Sequence, residues 1–292
     1  MLAITRMQSL SAKHPIQEWI AKALITRTSA VSHRLNLENV LQQFSHATET
    51  IETIEPFARP PWWALNAKTR IEEIKEAAKS AHDEIQQRPD ATVSTIYTDG
   101  SGIDKKIGAA AYAQTSGEVS LHHLGRESQF NVYTAEITGM QLALERLWDH
   151  QVHPTCRIYT DSQTAIKTIE RPQRQSGQSI IKDLLDCIDE ITSNPTHPQI
   201  EIMWIPGHFD IQGNERADEE AKKAAADSTL TQLRRHRPLK SARVRYIKTT
   251  AKEQWHKIWN ENTKTAKALR YITKIKRKGN KNGPKLYNQI VK

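Results

Sequence analysis

The sequence has little cysteine and no long apolar run. Its 292 residues include two cysteines, Cys156 and Cys187, which are too few for a disulfide framework or a zinc cluster and favour an intracellular, reducing compartment. Nothing favours the nucleus over the cytoplasm. No stretch approaches the roughly 18 apolar residues of a membrane span, and the N-terminus lacks the apolar segment of a secretory signal. We therefore expect neither a membrane protein nor a disulfide-rich secreted domain.

Charge is distributed unevenly along the sequence. Residues 1–91 are neutral overall, residues 92–226 carry a net charge of −7, and residues 227–292 carry 19 basic and 3 acidic residues, a net charge of +16. Such a basic tail is either a solvated surface or a binding surface for a polyanion such as nucleic acid. Charge alone does not decide between these two interpretations.

Hydrophobic patterning predicts three regions: a helical region and linker at 1–91, an α/β domain at 92–226 and a basic helical tail at 227–292. In the first region, residues 1–54 show helical spacing, prolines interrupt the pattern at 56–63, and 67–87 predicts a charged connecting helix. The α/β domain has predicted strands at 92–98, 108–114, 118–124, 155–160 and 199–205, and predicted helices at 132–148, from 162, at 178–192 and at 214–226. This order predicts a mixed five-stranded sheet flanked by helices.

Four acidic residues of the predicted domain occupy positions where solvated acids are uncommon. Asp99 and Asp161 each follow a predicted strand in the phrase Tyr-Thr-Asp, so their carboxylates meet at one sheet edge if the two strands are neighbours. Glu136 lies on the apolar row of the helix at 132–148, where an unpaired acid is costly. Asp218 lies in the first turn of the helix predicted at 214–226, on a row of alanines that faces the core.

Each of these acids also has an ordinary structural explanation. Asp99 and Asp161 can cap a turn or a helix, Glu136 can lie at a helix edge if the register is shifted by one residue, and the helix dipole favours Asp218 in a first turn. Four converging carboxylates, however, repel one another. Oxygen ligands without clustered His or Cys favour Mg²⁺ or Mn²⁺, and two such ions are a recurring arrangement for phosphodiester chemistry.

Four phrases of the sequence occur together in the order typical of one family. They are YTDGS at 97–101, TAE at 134–136, YTDSQ at 159–163 and WIPGHFDIQGNERAD at 204–218. The last phrase is the most specific, because His208 precedes Asp218 by ten residues. With these phrases the chain resembles the ribonuclease H family, most closely the ribonuclease H domains of non-LTR retrotransposon polyproteins. The resemblance covers residues 92–226 and implies a ribonuclease H-like fold.

The resemblance implies an endoribonuclease that cuts the RNA strand of RNA–DNA hybrids with two Mg²⁺ or Mn²⁺ ions. Asp99 matches the carboxylate that bridges both ions, and Asp218 matches a ligand of the ion that activates the attacking water. Glu136 and Asp161 match ligands of the second ion, and His208 matches a mobile-loop histidine that assists proton transfer or product release. The positions for which it implies substrate contacts are Ser101, Asn131, Gln163 and Asn214.

The sequence departs from the family in the segment before Glu136. In cellular members an Asn-rich stretch at this place helps to read the 2′-hydroxyls of RNA, whereas residues 129–134 (QFNVYT) hold only Asn131, displaced by one or two places. The inserted basic helix of some members is not evident between residues 172 and 200. How the RNA strand is read therefore stays open.

Outside the predicted domain the resemblance is thinner. The phrase Pro-Pro-Trp-Trp at 60–63 resembles the spacer between reverse transcriptase and ribonuclease H in such polyproteins, and it implies the reverse transcriptase region of the parent polyprotein as a partner. Trp255 and Trp259 lie four residues apart on a predicted basic helix, a spacing that favours a docking stripe over base-stacking platforms.

Two other functions remain open from the sequence. One is an inactive nucleic-acid-binding remnant of a mobile element, against which the presence of all four carboxylates and His208 argues. The other is a two-metal enzyme of the same fold, such as a resolvase or a transposase. The spacing between His208 and Asp218 argues against this second alternative.

Overall fold

The computed structural model describes residues 2–18, 50–149, 153–194, 196–230 and 236–261. Its helices are α1 (Leu2–Gln8), α2 (Lys75–Gln87), α3 (Val132–Asp149), α4 (Gln163–Glu170), α5 (Gln178–Thr192), α6 (Gln212–Ala226) and α7 (Lys240–Glu261). Its strands are β1 (Lys68–Arg70), β2 (Val93–Ile103), β3 (Lys106–Ala113), β4 (Val119–Arg126), β5 (Thr155–Thr160) and β6 (Gln199–Trp204). The chain divides into two compact units, Met1–Val244 and Arg245–Lys292.

A mixed sheet forms the centre of the first unit, with the strand order β1-β6-β5-β2-β3-β4. Strands β1, β6, β5 and β2 run parallel, and β3 and β4 are antiparallel to their neighbours. The predicted α/β class is confirmed, but the sheet has six strands among the described residues rather than the predicted five. The additional strand β1 pairs Thr69 with Ile202 of β6.

Strand β1 also corrects the connecting helix predicted over residues 67–87, since α2 begins only at Lys75. Thr69 is β-branched and suits an extended edge strand. Its hydroxyl donates to Glu170 Oε1 at 2.6 Å, a contact with a distant residue that local patterning does not reveal.

Strands β2 and β5 are neighbours, which is the condition under which the two Tyr-Thr-Asp phrases bring their carboxylates together. Tyr97 pairs with Tyr159 and Thr98 pairs with Thr160 in parallel register. The prediction that the first strand ends before Asp99 is wrong. Strand β2 continues to Ile103 because its second half forms an antiparallel hairpin with β3. Asp99 therefore lies within a strand, whereas Asp161 directly follows one.

Helices α3 and α6 pack on opposite faces of the β2–β3 hairpin. A Cβ atom at Gly100 would lie 2.4 Å from Glu136 N on α3, and one at Gly108 would lie 2.2 Å from Ala225 N on α6. Gly100 pairs with Ala109, and Gly108 belongs to the next residue pair of the hairpin. Because the side chains of successive pairs point to opposite faces of a sheet, the two glycines face different helices. Backbone contact this close fixes both helices, and with them the acidic residues that they carry.

Segments on both sides of the predicted domain pack on it. Leu239 and Ala242 are 0% and 1% exposed and belong to the main hydrophobic core, so the compact unit extends beyond residue 226. The buried carboxylate of Glu52 accepts hydrogen bonds from the backbone N–H groups of Gly177 and Lys240, each at 2.7 Å. The three predicted regions stay a prediction, but Leu239 and Ala242 of the third region belong to the core of the second.

The helical prediction for residues 1–54 is met at Leu2–Gln8 but not at residues 50–54, which are irregular. There the backbone bonds to distant segments instead: Glu52 N donates to Pro238 O and Ile54 N to Ser9 O. Residues 19–49, the larger part of this predicted helical region, and the side chain of Trp259 lie outside the described residues. Among the described helices, none combines the length and apolarity needed to cross a membrane.

Candidate active site

Three carboxylates converge at the end of the β2–β5 strand pair. Asp99, Glu136 and Asp161 each offer one oxygen atom, and these atoms lie within 4.8 Å of one another. Asp99 and Glu136 are 6% and 8% exposed, and Asp161 is half-buried. Glu136 reaches this edge because α3 packs directly over Gly100. The predicted convergence of these three acids is therefore present.

The fourth predicted carboxylate, Asp218, lines the same cavity of about 180 Å³. It lies in the second turn of α6 rather than in the predicted first turn, because the helix begins at Gln212. Its carboxylate forms an ion pair with Lys222, one helical turn further on. The other residues that line the cavity are Gly100, His208, Asn214 and Glu215.

Electrostatic repulsion and burial disfavour charge on these acids. The pKa of Asp99 is raised to about 7, mainly by burial and further by the negative charges of Asp161 and Asp218. Burial, with Asp99 and Asp161 nearby, raises the pKa of Glu136 well above its usual range. Burial also raises the pKa of Asp161, while His208 opposes that change. The negative charge of the four acids thus exceeds the positive charge of Lys222, and a divalent cation would compensate the excess.

The donor atoms of the cluster fit a hard cation. Glu136 Oε2 and Asn214 Oδ1 are buried and have no hydrogen-bond partner, which is costly for polar atoms. Carboxylate and amide oxygens are the ligands that Mg²⁺ and Mn²⁺ prefer. Among the described residues, the acidic triad is the one group of at least three His, Cys, Asp or Glu side chains that could hold a metal ion.

His208 lies exposed on the loop between β6 and α6, at the mouth of the cavity. Its φ of 59° is in the left-handed region, as is the φ of 55° at Asp210. The loop passes close to Asp161, since a Cβ atom at Gly207 would lie 2.5 Å from Asp161 Oδ2. At the end of β6, Trp204 Nε1 donates to Asp161 O at 3.0 Å. The structure therefore brings all five predicted catalytic residues to one cavity.

The four predicted substrate-binding residues do not all line the cavity. Asn214 lines the cavity, whereas Ser101, Asn131 and Gln163 are not among its lining residues. Asn131 caps α3, since its Oδ1 accepts from Thr134 N at 3.0 Å, and its Nδ2 donates to Ser241 Oγ at 3.3 Å. The substrate contacts of all four residues stay predictions.

Sequence reasoning missed one residue that lines the cavity, Glu215, and one that pairs with a lining residue, Lys222. Lys222 pairs with Asp218 at the i,i+4 spacing, a signal that is readable from the sequence. Glu215 lines the cavity one turn before Glu219, and no pattern distinguishes it from the solvated acids of α6. A larger cleft of about 640 Å³, lined by residues 65–68 and 192–194 with 197–200, lies at the opposite end of β6 and has no carboxylate in its lining.

Comparison with known proteins points to one family. Residues 91–226 match the family model RNase H. The chain is 28% identical to the Pol polyprotein of equine infectious anemia virus, strain Wyoming, over 228 residues, which are 70% of this chain and 18% of that protein. Identity to the Pol polyproteins of isolates 1369 and CL22 is 30% over 220 residues, with the same coverage. The chain thus spans about 18% of the length of these relatives. The predicted resemblance to ribonuclease H domains of polyproteins is confirmed.

Proposed function

We propose, on the premise that residues 91–226 form a domain of the ribonuclease H family, that this chain hydrolyses the RNA strand of RNA–DNA hybrids with two Mg²⁺ or Mn²⁺ ions. The observation that carries the proposal is the triad of Asp99, Glu136 and Asp161, two of them buried and the third half-buried, each of which offers one oxygen atom within 4.8 Å of the others. The triad lies inside the matched segment, where the parallel pairing of β2 with β5 ends.

The carboxylates of Asp99, Glu136, Asp161 and Asp218 would hold the ions. When bound, the ions lower the pKa of the attacking water and stabilise charge on the departing 3′-oxygen. The charges of Asp161 and Asp218 act on both Asp99 and Glu136. By the family resemblance, Asp99 would be the carboxylate that the two ions share. The products expected from the family are a 5′-phosphate and a 3′-hydroxyl.

His208, which lines the cavity, and Lys222, which pairs with Asp218, support the proposed chemistry without belonging to the triad. The imidazole of His208 is exposed on the loop beside Asp161 and can exchange protons with solvent and with a group in the cavity. Lys222 balances the charge of Asp218. We propose that His208 moves a proton or assists product release.

The negative charge of the domain is compatible with a polyanionic substrate. Bound cations invert the local charge of the cavity, and the net charge of +16 on residues 227–292 attracts a nucleic-acid backbone. The reverse transcriptase region of a parent polyprotein is the partner that we propose from the polyprotein relatives.

A cleavage assay on the full chain tests the proposal. An RNA–DNA hybrid labelled on the RNA strand is incubated with Mg²⁺, Mn²⁺ or EDTA. We expect RNA-strand products with either metal and none with EDTA. Hybrid binding without cleavage in both metals would establish an inactive remnant. Cleavage of DNA junctions with hybrids left intact would establish a resolvase-like enzyme instead.

Replacing His208 by alanine should slow cleavage without abolishing it. General acid–base assistance typically contributes about 10²–10⁴-fold to the rate, less than the complete metal-ligand set. The measurement is kcat on the hybrid, with His256→Ala on α7 as a control that removes an exposed histidine. A loss as complete as that expected for an Asp99 variant would show that His208 has a ligand or structural role.

A further inference from the structure

Helix α2 lies upstream of the segment that matches the family, yet it is fixed to the strands that carry the catalytic acids. His82 Nε2 lies 2.8 Å from the hydroxyl of Tyr97, and both residues are buried. The His82 ring also contacts Tyr159, with ring centroids 5.0 Å apart, and Tyr159 stacks on Tyr97. These tyrosines precede Asp99 and Asp161 by two residues in the two Tyr-Thr-Asp phrases.

The same tyrosine connects α2 to the start of α6. A Cβ atom at Gly213 would lie 2.2 Å from the Tyr97 ring, so the ring packs directly against the first turn of α6. The next residue, Asn214, lines the cavity. The position of α2 therefore bears on β2 and on the helix that carries Asn214 and Asp218.

The opposite end of α2 reaches the loop of His208. Lys75, the first residue of the helix, places its Nζ 5.5 Å from the centre of the Phe209 ring. Phe209 lies between His208 and Asp210, both with left-handed φ angles. Non-glycine residues hold such angles only where surrounding contacts fix them, and a cation over an aromatic face is such a contact.

We infer that α2 is a positioning element of this active site and that Lys75, through Phe209, holds the His208 loop in its working conformation. The inference rests on the proposed function for its kinetic consequences but not for its structural ones. Lys75 acts through Phe209 and is a positioning residue, not a catalytic one. A helix outside the matched segment thus belongs to the working enzyme.

The test compares Lys75→Gln, Lys75→Arg and Lys79→Gln in the full chain. Lys79→Gln is the matched control, because it removes the same charge from the same helix at a residue paired with Asp83. We expect Lys75→Gln to lower kcat about two- to fivefold, as suits an exposed cation–π contact, with KM unchanged. Lys75→Arg should keep kcat close to that of the unaltered chain, because the guanidinium of arginine also stacks on aromatic rings.

A second measurement does not depend on cleavage. Millisecond amide exchange at residues 207–213 should accelerate in Lys75→Gln and not in Lys79→Gln. Unchanged exchange overturns the inference, whatever the kinetics show. A raised KM with weaker salt dependence, at unchanged exchange, would make Lys75 a phosphate contact instead. If the unaltered chain cleaves no hybrid, the proposed function fails, while the exchange measurement still decides the positioning role.

Discussion

The Asp99→Asn variant is expected to lose hybrid cleavage completely while its thermal midpoint without divalent metal rises. Asp99 contributes one of the three oxygen atoms that lie within 4.8 Å of one another. An amide keeps the size of the side chain but removes the charge that holds a divalent cation. Cleavage should therefore fall below detection at both Mg²⁺ and Mn²⁺ concentrations that saturate the unaltered chain.

The gain in stability follows from the raised pKa of Asp99, which is about 7 in the fold against about 3.9 in an unfolded chain. Because the folded state binds this proton more tightly, stability declines as pH rises from about 4 to about 7. At pH 8 the charged side chain therefore costs the fold up to about 4 kcal/mol. Asn lacks this cost, so the variant should be more stable at pH 8 and equally stable near pH 4.

Asp104→Asn is the matched control. Asp104 is exposed in the β2–β3 turn with a φ of 48°, a conformation that Asn tolerates well. This control should keep both the cleavage rate and the midpoint. Turnover of purified Asp99→Asn within about tenfold of the unaltered chain would contradict the assignment of Asp99 as a metal ligand.

The convergence of the acids was predictable because its signals are local. Asp99 and Asp161 each directly follow a run of β-branched and aromatic residues, and Glu136 interrupts an apolar row of α3. The strand at Thr155–Thr160 and the helix at Gln178–Thr192 have the predicted bounds. These features depend on the spacing of apolar residues along the sequence and on the residues next to them.

Features set by distant contacts were not predictable in the same way. Strand β1 has three residues, too few for a periodic signal, and exists because β6 offers it an edge. The segment 236–241 reads as basic, with Leu239 as its one large aliphatic side chain. No pattern shows that Leu239 reaches the main core. Likewise, no sequence period reveals that Lys75 meets Phe209.

Glu52 explains how two flanking segments become part of one core. Its carboxylate accepts from Ser176 Oγ and from the N–H groups of Gly177 and Lys240. These N–H groups lie at the starts of α5 and α7, where a negative charge is favourable. Burial raises the pKa of Glu52, and these three donors oppose that change. The segment near residue 52 and the segment near residue 240 therefore stabilise each other's place on the domain.

Truncation at two positions should separate the folding role of the C-terminal region from its proposed role in binding. A chain cut after Thr231 loses Leu239 and Ala242 from the core and the Lys240 N–H from Glu52. Loss of a buried leucine alone typically costs about 2–5 kcal/mol. The midpoint of thermal unfolding should fall by roughly 5–20 °C.

A chain cut after Val244 keeps these contacts and removes residues 245–292, which carry 14 Lys and Arg and 2 Glu. Its midpoint should stay close to that of the full chain. Backbone binding by basic residues releases counterions, so affinity for the hybrid falls with salt. Without residues 245–292, binding should be weaker and its salt dependence flatter. Cleavage at saturating substrate should persist, because all four carboxylates lie upstream of the cut.

Hybrid binding and thermal unfolding, measured on both truncations, test the folding role and the binding role of the C-terminal region separately. An unchanged midpoint after the cut at Thr231 would mean that the docking of Leu239 contributes nothing to stability. An unchanged salt dependence after the cut at Val244 would mean that residues 245–292 do not contact the nucleic-acid backbone. Since Leu239 and the 14 basic residues lie on different sides of Val244, the core contact and the charge can be removed separately, which a single cut at the predicted boundary near residue 227 cannot achieve.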